Sequence, residues 1–152
     1  IRGNGKFSDV EYNIKEMKKI KTVSRIVGAF TVQANNIMQI DKVIDYFLRE
    51  MKIVFYSHRV SYPRALSAQV LPKALKDQVV AKLEAMKPKI KDYEIVKQHP
   101  ILEKITQQQI HFLQAKDLNE YWLDCVDFNR KLDLTRNQGP FEKINPEFRD
   151  YV

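Results

Sequence analysis

Cysteine is nearly absent from this chain. Cys125 is the one thiol, which excludes an internal disulfide and any all-cysteine metal cage built by a single copy. No apolar run approaches the roughly 20 residues that cross a bilayer, and no signal-peptide pattern opens the sequence, so the expected setting is cytoplasmic, away from membranes. There is no internal repeat and no low-complexity linker. Glycine is scarce too: two of the four glycines stand in Gly3-Asn4-Gly5, which reads as a tight turn needing positive φ. Negative charge is in deficit, with 19 acidic residues against 26 basic ones and a net charge of +7. The lysines are scattered along helical segments and form no block, which describes a solvated surface better than a nucleic-acid groove; nucleic acid is a possible partner but not the favoured one. The first residue is Ile1, not methionine, and the expectation is a piece of something longer.

At 152 residues, with 44% hydrophobic and 30% charged content, the chain is one soluble domain of ordinary size with enough apolar surface for a core. Its organising stretch runs from Ser24 to Pro63. Arg25-Ile-Val-Gly-Ala-Phe-Thr-Val-Gln33 is almost continuously apolar or β-branched, which predicts a parallel strand buried on both faces. Asn35-Asn36 break the run. Ile40, Val43, Ile44, Phe47 and Leu48 then recur at a spacing of three and four, one helical stripe. The chain turns at Arg49-Glu50-Met51-Lys52 and resumes a β-prone run, Ile53-Val-Phe-Tyr56. Strand, helix, strand in that order predicts a right-handed crossover unit. Ligands of such units gather at the carboxyl ends of the strands, here Gln33 to Asn36 and Tyr56 to Val60.

On either side the pattern is helical. Ser8 and Glu11 have capping-box spacing, which predicts a helix starting there with Val10, Ile14 and Met17 on its stripe. Ser57 to Arg64 reads as a polar and aromatic loop, and 65–71 as irregular. Pro72 fits the first position of a helix with Leu75, Val79, Val80, Leu83 and Met86 inward, stopped by Lys87-Pro88. Residues 89–99 fit a short helix or a turn. Pro100 opens a helix carrying Ile101, Leu102, Ile105, Phe112 and Leu113, diluted by Gln107 to Gln109. Asp117 with Glu120 caps the last long helix, whose stripe is Leu118, Tyr121, Trp122, Cys125, Phe128 and Leu132, ending at Asn137-Gln-Gly-Pro140. The tail from Phe141 to Val152 is too apolar to hang free.

The wording of the first 72 residues resembles the second half of a radical S-adenosylmethionine enzyme core, in the branch with peptide-modifying, phage-associated and metagenomic members. Arg2-Gly-x-Gly-Lys-Phe7, Val10 and Asn13-Ile14 are similar to the segment after that family's fourth strand; Thr31-Val32 and Asn36 to its fifth strand and exit; Ile53 through Pro63 to Leu71-Pro72 to its sixth strand and descent. The resemblance implies an α/β fold: a truncated partial (β/α) barrel of two or three parallel strands over residues 1–72, with a helical cover over 73–152, as one structural unit. It also implies S-adenosylmethionine and a 4Fe-4S cluster as cofactors of the parent protein. The cluster's C-x-x-x-C-x-x-C triplet and the Gly-Gly-Glu segment for the cofactor's amino group are absent from this chain. The expectation is therefore a fragment of a catalytic domain, inactive alone and binding neither cofactor tightly. The alternative is a non-enzymatic basic α/β module that docks a protein or nucleic acid.

The candidate cofactor-binding residues are Gln33, Asn35, Asn36, Tyr56 and His58, with Arg59 beside them. Asn36 doubles as the expected N-cap of the helix from Ile37. His58 reads first as a surface-loop histidine, because no carboxylate stands at a telling spacing. Cys125 reads as a small core residue, and His99 and His111, twelve apart, form no zinc pattern. Tyr121, Trp122 and Phe128 read as core packing, not as a stacking platform for bases. Because a half-barrel leaves β-edges unpaired, a homo-oligomer or the missing N-terminal half is expected beside Arg25 to Gln33, or else 1–7 or the tail folds over that edge.

Overall fold

The computed structural model describes residues 6–137 and 139–152, so the Gly3-Asn4-Gly5 turn lies outside the described residues. Strand β1 (Val27–Val32) pairs in parallel with β2 (Val54–Arg59), from Val27 opposite Val54 to Val32 opposite Arg59. Val60 N–H donates to Val32 O at 3.1 Å and carries the ladder one step further. The connection is a 3-10 turn at Ile37–Gln39, helix α2 (Ile40–Asp45) and a wide π turn at Tyr46–Glu50. Ile40, Ile44 and Leu48 are fully buried and Val43 and Phe47 half-buried, on the stripe their spacing predicts. Met51 N–H then bonds Tyr46 O at 2.8 Å, and Lys52 reverses the chain with φ 45°.

Two expectations about the strands need correction. β1 is not buried on both faces: Gly28 and Val32 are buried, whereas Val27, Ala29 and Thr31 are exposed. Ala29 and Thr31 are small enough to read as core residues in a β-prone run, which hides a period of two. β2 starts at Val54 and runs on through Ser57, His58 and Arg59, residues expected in a loop. They stay extended because Phe30, Thr31 and Val32 pair with them. The fold is thus mixed α/β and mostly helical, with a two-stranded parallel sheet that does not close; among the described residues no third strand pairs with it and no barrel is formed.

The helices depart from expectation mainly at their ends. Helix α1 (Phe7–Met17) begins one residue before Ser8, with Lys6 in the extended cap position, so the Ser8–Glu11 capping box does not form; Glu11 pairs with Lys15 at 3.1 Å instead. None of its side chains is buried. Pro72 stands at the cap of α3 (Lys73–Ile90), which continues through Pro88 because Met86 and Ile90 dock on the core while Pro88 faces solvent. Residues 94–98 form the short helix α4 (Glu94–Gln98), with Ile95 and Val96 inward. A 3-10 turn at Pro100–Lys104 leads into α5 (Ile105–Ala115); Ile101 is exposed and Gln109 fully buried, the reverse of their polarity.

Helix α6 (Trp122–Arg136) follows a 3-10 turn at Asn119–Tyr121, and neither has a side-chain cap bond, so the expected Asp117–Glu120 cap does not form; Asp117 instead accepts from Asn119 N–H at 3.2 Å and pairs with Lys76 at 2.9 Å. Its buried stripe is Trp122, Cys125, Val126, Asn129 and Asp133, which leaves Phe128 exposed rather than in the core. Asn137 ends the helix in the left-handed conformation, φ 51°. The tail, with α7 (Phe141–Ile144) and a 3-10 turn at Pro146–Tyr151, packs back: Phe148 is fully buried against the Trp122 ring at 5.6 Å, and Trp122 Nε1 donates to Tyr151 O at 2.7 Å. One cluster of buried apolar side chains runs from Val32 to Phe148. Among the described residues no helix is long and apolar enough to cross a membrane.

Candidate functional site at the carboxyl ends of the strands

Side chains alternate across a strand, so the register puts Val27, Ala29 and Thr31 of β1 on one sheet face with Val54, Tyr56 and His58 of β2. Gly28, Phe30 and Val32 share the other face with Phe55, Ser57 and Arg59. Helix α2 and its π turn cover that second face, since Phe47 lies on Gly28 and stacks on Phe55 with ring centroids 4.9 Å apart. Toward its carboxyl end α5 takes over: Gln109 Nε2 donates to Ser57 Oγ, and Arg59 sits 5.5 Å over the Phe112 ring and donates to Gln108 O at 3.3 Å. Arg59 is therefore committed to α5.

The first face is open from Ala29 and Tyr56 onward, whereas Val54 at its amino end is buried. Tyr56 is 47% exposed, and its ring meets that of His58 edge-on at 5.0 Å. His58 is thus a strand residue on this face, beside Thr31, and not a loop histidine.

The exit of β1 is organised by Asn36. Its Oδ1 accepts from Gln33 N–H at 2.9 Å and its Nδ2 donates to Thr31 O at 2.9 Å. No side-chain cap bond reaches the turn that follows, so the expected N-cap role is replaced by one that clamps the strand end. Asn35 turns the other way: its Nδ2 donates to Asn129 Oδ1 at 3.3 Å, and Asn129 in turn donates to Cys125 O at 2.8 Å. Cys125 is buried, and burial pushes its thiol up to about 12, a proton-bearing core group as expected. After β2 the loop passes a cis Tyr62–Pro63 bond, and Arg64 donates to Tyr121 Oη at 2.6 Å while lying 5.4 Å over that ring.

Of the five candidate residues, Tyr56 and His58 share one open surface, Asn36 shapes its rim next to Gln33, and Asn35 belongs to the α6 interface. Ala29 and Thr31 also belong to the surface and were missed, because alternation is invisible where every residue is small or apolar. Asn129 was missed as well. A polar residue four positions after Cys125 on a buried stripe was the available signal. Among the described residues no three histidine, cysteine or carboxylate side chains are grouped to hold a metal ion. Comparison with protein-family profiles, curated proteins and solved structures found no match to this chain.

Proposed function

We propose that this chain supplies the fifth- and sixth-strand part, and the C-terminal helical cover, of a radical S-adenosylmethionine catalytic domain, and that it is inactive without the strands that carry the cluster. The observation that supports this reading is the open sheet face. In a (β/α) barrel the crossover helices lie outside and the opposite strand face lines the interior. Here the face opposite α2 carries Val27, Ala29, Thr31, Tyr56 and His58, uncovered, beside Val54, which is buried. A parallel sheet ordinarily has both faces covered.

The cluster does not fit this chain's own residues, because Cys125 is buried on α6, away from the open face. A nucleoside fits better: Tyr56 and His58 offer ring faces on the open surface, Gln33 an amide at its rim, and Asn36 holds that rim in place. Asn35 acts from behind, through Asn129.

The test is the reading frame upstream of Ile1. A cysteine triplet encoded in frame supports the proposal; a start codon with no triplet before it overturns it. The chain alone, reconstituted with iron and sulfide, is expected to give no cluster absorption, and a clear visible band per monomer would refute the assignment. The second reading, a basic binding module, is favoured by the same open face together with the net charge of +7. Strong binding of single-stranded or duplex nucleic acid with a steep salt slope would select it.

A further inference from the structure

A second concave region lies at the opposite, amino ends of the strands. It is a cavity of about 240 Å³ whose wall includes Lys18, Arg25, Lys52 and His99, with Ser24 and Gln98 as further hydrogen-bonding groups. Ile26, Ile53 and Val54 provide an apolar floor, and no aspartate or glutamate lines it. One of the three cations has a carboxylate partner. Lys52 Nζ meets Glu94 Oε2 at 2.6 Å, but Lys18 donates only to the main-chain oxygens of Met51 and Lys52, and Arg25 has no ion-pair partner among the described residues. Partial burial, then the nearby Lys52, lowers the Lys18 pKa, with Glu94 opposing.

Lys52 reaches this position in the left-handed conformation, φ 45°, which is costly for a residue with a Cβ. The chain thus holds three cations around a hollow and supplies one carboxylate, that of Glu94, toward Lys52, which leaves Arg25 without an ion pair among the described residues and Lys18 on main-chain oxygens. Several cationic donors with a hydroxyl and an amide around one hollow suit an oxyanion with more than one charge and several acceptor oxygens. We propose that this amino-end cleft binds a phosphoryl group, with Arg25 and Lys52 as its principal ligands, Lys18 as a supporting charge and the apolar floor taking the organic remainder. This inference does not depend on the radical S-adenosylmethionine reading, whose site lies at the other ends of the strands.

The experiment is a ¹H–¹⁵N titration of the whole chain with inorganic phosphate at constant ionic strength. Saturable shifts are expected at the amides of Ser24, Arg25, Lys52, Ile53 and His99. Arg25→Ala is expected to weaken binding about tenfold, the loss of one charge-assisted hydrogen bond. Lys52→Gly guards against a folding artefact: glycine relaxes φ 45°, so thermal stability should hold or rise while phosphate binding falls. No saturable shift, equal shifts with matched sodium chloride, or wild-type binding by both variants would overturn the proposal. Glycerol 3-phosphate and a short single-stranded DNA then identify the source of the phosphoryl group. Tighter binding of the former assigns a small phosphomonoester. Tighter binding of the latter, falling log-linearly with salt, assigns a nucleic-acid backbone.

Discussion

The Phe47 ring lies directly on the main chain of Gly28: a Cβ added at Gly28 would stand 2.5 Å from Phe47 Cε1. The ring has little room to retreat, since it stacks on Phe55 at 4.9 Å and meets Tyr46 at 5.7 Å. This contact seats the π turn after α2 closely on one face of the sheet. Two terms oppose each other in Gly28→Ala. Alanine gains roughly 0.5–1 kcal/mol over glycine within a strand, whereas overpacking a filled site costs about 1–3 kcal/mol. Net destabilisation is expected in urea unfolding, and a more stable variant would mean that the ring is free to move.

The two strand phenylalanines should differ. Phe55 is 2% exposed at the centre of the cluster, so Phe55→Ala should cost roughly 3–5 kcal/mol. Phe30 reads from sequence as the middle of a doubly buried strand and carries the same expectation, but it is only partly buried at the margin of the core. Phe30→Ala should therefore cost less, about 1–3 kcal/mol. Equal losses on denaturant unfolding would contradict the one-sided sheet.

What the sequence made legible follows from which signals survive without neighbours. The strand, helix, strand order and the stripes of α2 and α3 depend on local periodicity, and Ile40, Ile44, Leu75, Val79 and Leu83 are buried as their spacing predicts. The extent of β2 was not legible, because Ser57-His58-Arg59 is extended only through pairing with Phe30 to Val32. The capping box failed for a related reason. Ser8 and Glu11 have the right spacing, but spacing does not determine which residue leaves the helix first. At the candidate site, Asn36 was recognised by position while its partners were not: bonds from one side chain to Gln33 N–H and Thr31 O depend on the strand end being in place.

Asn36 yields a direct test of that clamp. Asn36→Ala removes an acceptor and a donor together and should destabilise by about 0.5–1.5 kcal/mol, the net range for a hydrogen bond, because Gln33 N–H is part-buried while Thr31 O is open to water. Asn36→Asp keeps the acceptor toward Gln33 N–H but places an oxygen against Thr31 O, so it should not restore stability. Faster amide exchange at Gln33 is expected in the alanine variant but not in the aspartate one. Unchanged exchange in both would remove the clamp from the account.

Alkaline pH should loosen the α6 face of the core and the α2–α4 contact. Burial raises the Cys125 thiol from 9.0 to about 12, and burial followed by the hydrogen bond to Asp45 raises the Tyr93 hydroxyl from 10.0 to about 12. Both groups are held in their protonated forms by the fold. Their contribution is fully present below the unfolded-state pKa values and is lost as pH climbs from there through about 12. Unfolding free energy should fall across that window, and Cys125→Ala with Tyr93→Phe should flatten the fall. At pH 8 a thiol reagent should label Cys125 only as fast as the protein opens. Rapid labelling of the native chain would place the thiol outside the core.

The remaining prediction concerns what meets the open side of β1. Its main-chain groups on the side away from β2 have no strand partner among the described residues, with Thr31 O met by Asn36 alone. Val27, Ala29 and Thr31 flank that edge without the lysine or proline that commonly blunts one. The described tail packs near Trp122 and Lys82, where Glu147 lies 3.7 Å from Lys82, so it does not take the place of a third strand. The isolated chain is therefore expected to self-associate through β1 at micromolar concentration in light scattering. A lysine at Val27, which is 39% exposed, should suppress association at little cost to unfolding stability. A strict monomer with Ile26 to Val32 protected from amide exchange would mean that the edge is already covered. A monomer with that stretch unprotected would remove β1 itself, and with it the open face on which the cofactor reading depends.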